Sequence, residues 1–391
     1  MLILAVGRRR LAEGSVAHFK VREYVNLCYI FPPGPGLVAR CARDIFTIGN
    51  HYDRYSKTEL VWDRRNSWAQ AMSPSAVIVG AGAIGAWIGD ALDRAGWGVS
   101  MLARGPTLAA LRSGGLTIER GGETRHSMPR AGSPAELGIH DYVFLTVKAQ
   151  ILPDLAPSLS PLIGPATVVI SGTNGIPWWF FHDFGGALAN QSLKSVDPDQ
   201  SQERTFPRKR ILGSVVHASA RVLAPGHVQV VAADRLLLGE PTGEVSNRLQ
   251  AVVNGLRGGG INAEISQRIR HDVWAKLWGN MNMNPLSALT RCGTSKILAD
   301  PDVRELCIRM MEEMQMCAQH LGLEMNITPA ERIAVTQRLG DFRTSMLADV
   351  EAGRPLELAP QLGAVAEIAQ RLDVPAPFVR SILGLTRLLS A

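Results

Sequence analysis

Three polar side chains recur at the spacing of one helical face within an otherwise apolar stretch. Lys276, Asn280 and Asn284 are four residues apart, so each is rotated only about 40° around a helix from the one before it. A lysine ammonium can stabilise and protonate an oxygen that gains charge, and an asparagine amide can polarise a carbonyl group. The spacing therefore suits the reduction of a carbonyl group, and a solvent-exposed stripe on a core helix is the alternative.

A glycine-rich segment provides a second site for chemistry. An apolar run at 76–79 is followed by a G-x-G-x-x-G pattern, a helical stretch and a second apolar run at 98–102. Gly80 would make the tight turn, Gly82 would let the backbone approach a pyrophosphate, and Gly85 would let helix pack on strand. We therefore predict a dinucleotide-binding loop that comprises Gly80, Ala81, Gly82, Ala83, Ile84 and Gly85.

The residue that follows the second strand indicates which dinucleotide binds. NAD-binding proteins place an acidic residue there for the ribose hydroxyls. This chain has Ala103, Arg104 and Gly105 instead. Because a guanidinium can pair with a 2′-phosphate, we predict NADPH as the cofactor, and an ordinary exposed loop arginine is the alternative.

Two further polar residues follow apolar runs that are typical of buried strands. Lys148 follows the run at 141–147, and Asn174 follows the run at 166–171. Ligands of open α/β sheets bind beyond the carboxyl ends of the strands. Lys148 is therefore a candidate for cofactor ribose or phosphate, and Asn174 for nicotinamide or substrate. A solvated lysine and an Asn-Gly turn are the alternatives.

The elements that must position these residues divide the chain into two parts. We predict an α/β Rossmann-type domain over 75–266, an all-α substrate and catalytic domain over 267–391, and an active site in the cleft between them. A polar loop or insertion is expected over 191–210. Pro285 should kink or end the first helix of the second part, because it cannot donate to the carbonyl of Met281. Further strands are expected at 116–118, as a sheet edge, and at 211–216, 226–231 and 236–239.

Composition narrows the choice of partners. The excess of basic residues is +5 within residues 1–71 and only +1 in the rest, so the main part has no support for nucleic-acid binding. No apolar run approaches the roughly 20 residues of a membrane helix. The cysteines show no metal-site spacing, and their sparse, odd number favours a reducing cytoplasm. They are Cys28, Cys41, Cys292, Cys307 and Cys317.

The first 71 residues lack a sustained helix or strand period. Their short apolar start precedes its arginine cluster, which is the wrong order for a signal peptide. Met72 stands just before the first predicted strand. We therefore expect residues 1–71 to be a disordered extension or no part of the native protein, and a regulatory or targeting extension is the alternative.

From residue 75 onward the chain resembles the ketopantoate reductase (2-dehydropantoate 2-reductase) family. The order and spacing of several motifs are more specific than the glycine loop alone. They are VGAGAIG at 79–85, LTVKA at 145–149, TNG at 173–175, WAKLWGNMNMNPLSALT at 274–290, TSML at 344–347 and PLEL at 355–358.

The resemblance implies reduction of a 2-keto acid by NADPH, with pantoate as the default product. It implies that Lys276 is the proton donor and that Glu357 is an active-site carboxylate that contacts cofactor and substrate. It also implies that Asn174, Asn280, Asn284 and Ser345 bind substrate, with Asn174 beside the nicotinamide, and that Arg104 and Lys148 contact the cofactor. A monomer or homodimer without a metal is expected.

Several positions depart from the family pattern and leave the acyl part of the substrate open. Residue 359 is alanine where an acidic residue is common, and residues 178–181 form an unusual aromatic cluster. We expect these positions to decide which keto acid is used. A reductase for another 2-keto acid, a β-hydroxyacid or opine-type dehydrogenase, and a non-catalytic NADP(H)-sensing protein are the alternatives.

Overall fold

A computed structural model describes residues 73–389, so the expectation for residues 1–71 lies outside the described part of the chain. In that part, ten strands form one sheet. They are β1 Ser75–Val79, β2 Gly98–Leu102, β3 Leu116–Arg120, β4 Glu123–Ser127, β5 Arg130–Gly132, β6 Tyr142–Leu145, β7 Val168–Ser171, β8 Ile211–Ala224, β9 His227–Gly239 and β10 Ala263–Ile265.

The strand order is β4-β3-β9-β8-β7-β6-β1-β2-β5, and β10 pairs with β9. From β8 to β5 each strand in this order runs parallel to the next one. From β1 the chain goes to β2, then to the antiparallel pair β3 and β4 at the opposite edge of the sheet, back to β5 beside β2, and then to β6 on the other side of β1. Such a reversal opens a crevice at the carboxyl ends of β1 and β6, where open α/β sheets bind ligands.

Two strand predictions are corrected. Residues 226–231 and 236–239 belong to one strand, β9, which pairs antiparallel with β8. The apolar pattern is interrupted in the sequence between the two runs, but the pairing with β8 continues there through a register shift between His217 and Ala218. Strand β3 does not form the edge, because β4 pairs with its outer side. The largely polar sequence of β4 gave no sign of this strand.

The helices lie between the strands and then fill the C-terminal part. They are α1 Ala83–Arg94, α2 Gly105–Gly114, α3 Pro134–Leu137, α4 Leu152–Leu155, α5 Ser201–Thr205, α6 Asn247–Gly258, α7 Ile269–Thr290, α8 Thr294–Ala299, α9 Pro301–Leu321, α10 Pro329–Arg338, α11 Ser345–Glu351, α12 Ala364–Arg371 and α13 Pro377–Leu388. Among the described residues, no helix has the length and apolar character needed to cross a membrane.

Helix α7 does not end at Pro285, which was one of the two outcomes that the sequence predicted there. The missing N–H and ring clash of an internal proline cost about 3 kcal/mol. Met283, Leu286 and Ala288 on either side of it are at most 5% exposed. Burial of this apolar surface offsets that cost, since most helical stability in proteins comes from tertiary packing.

The segment 191–210 is more ordered than a surface insertion. It contains α5, and it buries Gln202 and Phe206. The Asp197 carboxylate accepts the backbone N–H groups of Gln202 and Glu203. This local network lets a polar sequence pack against the core.

Candidate active site

The loop after β1 has the geometry that the glycine pattern predicted. Gly80 has φ +103°, and a Cβ there would lie 2.7 Å from Val147 Cγ1. A Cβ on Gly85 would lie 2.1 Å from the Gly80 carbonyl oxygen, so α1 can approach β1 only with glycine at this position. Gly82 is exposed, and a Cβ there would meet nothing within 4 Å. The open space at Gly82 fits a bound phosphate group.

Helix α1 begins within this loop, at Ala83. Gly82 is its N-cap and provides no side-chain hydrogen bond, and the first turn carries no acidic residue. The free N–H groups and the positive end of the helix dipole therefore remain available to an anion. These residues fit the pyrophosphate of a dinucleotide.

Arg104 lies at the other predicted cofactor position, at the carboxyl end of β2. It is exposed, and its backbone forms the N-cap of α2. The neighbouring first turn of α2 also lacks an acidic residue. The position therefore suits a second phosphate group.

Lys148 lies after β6 and connects the sheet to the helical part of the chain. Its Nζ is 2.7 Å from Asp349 Oδ2 and donates to the Pro355 carbonyl oxygen at 2.8 Å. The Gln150 side chain donates to the same carbonyl oxygen at 3.3 Å. These contacts hold the segment that contains Glu357 against the loop after β6.

The ammonium group of Lys276 lies at the junction of the sheet and helix α7. Its Nζ donates to Asn174 Oδ1 at 2.8 Å and to the Val216 carbonyl oxygen at 2.7 Å. An ammonium has three donors, so one remains for a ligand. Burial lowers the pKa of Lys276 to about 8, and the negative charge of Glu357 partly opposes this shift.

Glu357 lies on the other side of Asn174. Its Oε1 accepts the Ala149 backbone N–H at 3.0 Å, and its Oε2 accepts from Asn174 Nδ2 at 3.4 Å. Burial raises the pKa of Glu357, while the Ala149 and Asn174 hydrogen bonds and the charge of Lys148 act in the opposite direction. Asn174 therefore bridges the lysine and the carboxylate, which are 81 residues apart in sequence.

The remaining predicted substrate residues have different environments. Asn280 is partly exposed, and no hydrogen bond is formed by its side chain within residues 73–389. Asn284 is buried and donates to Gln361 Oε1 at 3.0 Å. Ser345 is exposed at the start of α11, directly after Thr344, whose hydroxyl is 2.6 Å from Ser287 Oγ on α7. The structure thus joins Lys276, Asn174 and Glu357 directly, but shows no contact from Ser345 to them.

The aromatic residues 178–181 lie in the core between the sheet and α7. All four are at most 4% exposed, and the Phe180 ring is 6.2 Å from that of Trp274. Trp179 Nε1 donates to Ser171 Oγ at 2.7 Å. They support the helix that carries Lys276, and they have almost no surface available to a substrate.

Two partners of the cluster escaped the sequence interpretation. The Val216 carbonyl and the Ala149 N–H are backbone groups, which no side-chain pattern identifies. Gln361 contacts Asn284 on α7, and Asp349 contacts Lys148, only because the fold brings distant segments together. Their spacing in the sequence therefore gave no sign of these contacts.

Comparison with known proteins identifies the family. The family described as "Ketopantoate reductase PanE/ApbA" matches residues 76–243, and "Ketopantoate reductase PanE/ApbA C terminal" matches residues 268–390. A 2-dehydropantoate 2-reductase of Mesorhizobium japonicum is 39% identical over 315 residues, which are 80% of this chain and 97% of the relative. One from Archaeoglobus fulgidus is 27% identical over 310 residues, 79% of this chain and 96% of the relative.

A solved structure agrees with these sequence matches. The crystal structure from Ralstonia solanacearum MolK2, provisionally assigned as a ketopantoate reductase, is 41% identical with a TM-score of 0.78. The match covers 81% of this chain and 98% of that one. The fold and these matches together define a pyridine-nucleotide-dependent oxidoreductase that acts on CH–OH groups. The chain belongs to the ketopantoate reductase family.

Proposed function

We propose that the protein reduces a 2-keto acid with NADPH, and that ketopantoate, which it converts to pantoate, is its substrate. One observation carries this proposal above the others. The Lys276 ammonium lies at the carboxyl side of the sheet, and one of its three N–H donors is free for a ligand. The Glu357 carboxylate lies on the other side of Asn174, which contacts both groups. This arrangement serves an oxygen that becomes negatively charged.

Reduction of the keto group requires a hydride at C2 and a proton at the oxygen. The reduced nicotinamide supplies the hydride when it is bound. Lys276 donates to the keto oxygen, stabilises the charge that develops there and then transfers the proton, which leaves a neutral amine and a C2 hydroxyl group. A pKa of about 8 suits this transfer, because the ammonium form predominates near neutral pH yet releases its proton readily.

Asn174 and Glu357 hold Lys276 ready for this step. The Asn174 carbonyl oxygen orients the ammonium, and the amide nitrogen of the same side chain faces Glu357. The Glu357 charge favours the protonated lysine. Asn280, Asn284 and Ser345 bind the polar groups of the keto acid in this proposal.

The residues proposed to bind the cofactor are assigned from the crevice at the carboxyl ends of β1 and β6. Residues 80–85 bind the pyrophosphate, Arg104 binds the 2′-phosphate, and Lys148 binds a ribose or phosphate group. Asn174 and Glu357 lie where the nicotinamide end must come to meet Lys276. We assign residues 75–266 to the cofactor domain and 267–391 to the substrate and catalytic domain, and we expect a monomer or homodimer.

The direct test follows the absorbance of the reduced nicotinamide with ketopantoate, using NADPH and NADH in parallel and a panel of other 2-keto acids. We expect turnover with ketopantoate and a clear preference for NADPH. Activity on another keto acid alone would overturn the assignment of ketopantoate as the substrate, but it would leave the proposed role of Lys276 intact. Equal use of NADH would overturn the role of Arg104, and cofactor binding without turnover of any keto acid would overturn the reaction.

A further inference from the structure

A second cavity lies outside the Lys276 cluster. Its volume is about 970 Å³, and its walls are the segment 353–359, helix α12 and helix α13. This volume lies at the upper end of the range for small-molecule sites, which is roughly 300–1,000 Å³. Of the described residues that line it, none is Lys276, Asn280 or Asn284. The cavity is therefore large enough for a nucleotide-sized molecule, and it adjoins the segment that carries Glu357 without containing Lys276.

The wall of this cavity is strongly cationic. The described lining residues include four arginines, namely Arg291, Arg354, Arg380 and Arg387. Arg354 pairs with Asp349, but Arg291 and Arg387 form no ion pair with any residue of the described chain. Within residues 73–389, Arg380 forms no ion pair and donates to the neutral Gln370 Oε1 at 3.5 Å. Most of this positive charge is therefore available to a ligand.

Among the residues that the structure describes, one acidic side chain lines the same cavity, and its charge is already matched. The Glu367 carboxylate accepts the backbone N–H groups of Lys194 and Ser195 at 2.9 and 2.8 Å. It also pairs with Arg371, and these partners lower the pKa of Glu367 although burial acts in the opposite direction. An anion in the cavity would thus meet little uncompensated repulsion.

The floor of the cavity is apolar, with one polar atom that lacks a partner. Leu356, Leu358 and Leu383 are each at most 8% exposed and line it. The buried Gln150 Oε1 also belongs to a lining residue, and it has no hydrogen-bond partner within residues 73–389. A buried acceptor without a partner costs about 1–3 kcal/mol, so this oxygen favours a ligand that carries a donor.

Helix α13 presents charge and apolar surface together. Arg380, Leu383 and Arg387 are spaced i, i+3 and i+7, so they share one helical face, and all three line the cavity. Guanidinium groups at both ends of an apolar patch fit a ligand with a charged group and an apolar body. A planar guanidinium binds phosphate through two parallel hydrogen bonds, and several arginines favour a multiply charged anion over a single carboxylate.

We propose that this cavity binds a phosphate ester of nucleotide size, whose phosphate contacts Arg380 and Arg387 and whose apolar body lies on Leu356, Leu358 and Leu383. The site has a direct connection to the catalytic cluster. Leu356 and Leu358 flank Glu357 in sequence, and Glu357 contacts Ala149 and Asn174. A ligand that moves this segment would therefore change the position of the Glu357 carboxylate.

Fluorescence titration with N-methylanthraniloyl-ADP tests the proposal on the full chain. Saturating NADP⁺ is present throughout, so the probe cannot report on the dinucleotide site. We expect saturable binding to the wild-type protein and at least tenfold weaker binding to the R380A/R387A double variant. Both arginines are exposed, so the variant should fold, and thermal unfolding checks this.

A matched double variant distinguishes a site from general attraction. R304A/R338A removes two exposed arginines that do not line the cavity, and it should bind the probe within twofold of wild type. Absence of probe binding to the NADP⁺-saturated wild type would overturn the proposal. So would equal weakening in both double variants. Sedimentation velocity adds a third outcome: if R380A/R387A alters self-association while the wild type ignores the probe, the cavity is a contact between copies.

Discussion

The loop at residues 80–85 and the Lys276 cluster serve the same proposed reaction, but they depend on different properties of the chain. The loop depends on absent side chains, since a Cβ at Gly80 or Gly85 would collide with Val147 or with backbone. The cluster depends on side chains whose charges are moved by burial, as the pKa of Lys276 shows. One site is built from backbone within six residues, and the other from Asn174, Lys276 and Glu357, which are far apart in sequence.

This contrast implies different responses to mutation. Changes in the loop should alter cofactor affinity or folding, because the loop performs no proton transfer. Replacement of Lys276 should alter turnover while leaving cofactor affinity close to wild type. The variants below test that division.

Replacement of Lys276 should have the largest effect. We expect Lys276→Ala to lower kcat by about 10²- to 10⁴-fold, because the general acid is lost. The dissociation constant for NADPH should stay within threefold of wild type. Stopped-flow turnover and equilibrium fluorescence titration measure the two quantities. Lys296→Ala removes an exposed lysine from α8 and is the control. Full turnover by Lys276→Ala would assign the proton donor to another group.

Two glycine variants separate packing from ligand approach. Gly85→Ala should destabilise the fold by about 1–3 kcal/mol, because its methyl group would lie 2.1 Å from the Gly80 carbonyl oxygen. Gly82→Ala should leave stability within about 1 kcal/mol, because its φ is −81° and nothing lies within 4 Å. It should nevertheless weaken NADPH binding about tenfold, or about 1.4 kcal/mol, since the methyl group projects toward the pyrophosphate.

Thermal unfolding and NADPH titration measure both properties for each glycine variant. Unchanged NADPH affinity in Gly82→Ala would show that the pyrophosphate does not approach this loop. Unchanged stability in Gly85→Ala would show that α1 can move away from β1 at little cost.

Arg104→Ala tests cofactor choice within the same region. A hydrogen bond to a charged group contributes about 1.5–3 kcal/mol, so KM for NADPH should rise roughly tenfold or more. KM for NADH should stay unchanged, because NADH lacks the 2′-phosphate. The exposed Arg112 on α2 provides the matched control variant Arg112→Ala. An equal rise in KM for both cofactors would place the guanidinium near a group that they share.

The contrast also explains which parts of the molecule could be predicted from sequence. The first βαβ unit was predicted well, because glycine positions and apolar runs act locally. The long helix with Lys276, Asn280 and Asn284 was also recognised from its spacing. The contact between Lys276 and Val216 could not be predicted from the sequence, because Val216 accepts through its backbone carbonyl, which any residue type would supply. Pro285 does not end α7, because burial along the helix outweighs a local penalty.

The role of the aromatic residues 178–181 was misjudged for a related reason. Four large rings in a row resemble a pocket lining, but their exposure depends on which elements cover them. The sheet and α7 bury these rings, and Phe180 packs against Trp274 on the helix that carries Lys276. Likewise, the arginines of the second cavity come from α7, α11 and α13 or the loops beside them, and no local pattern brings them together.

Glu357→Gln should produce a small effect that probes the charge coupling inside the cluster. The Glu357 carboxylate raises the pKa of Lys276, and burial lowers it to about 8. Because the proton donor is the ammonium form, kcat should fall as pH rises through about 8 in the wild type. Removal of the negative charge leaves burial unopposed, so in Glu357→Gln the fall should begin at lower pH. The amide can still accept the Ala149 N–H, which keeps the segment in place. Profiles of kcat against pH measure the shift, with Glu305→Gln on the exposed face of α9 as a control that removes the same charge. A midpoint that stays unchanged would show that Glu357 acts on substrate or cofactor rather than through Lys276.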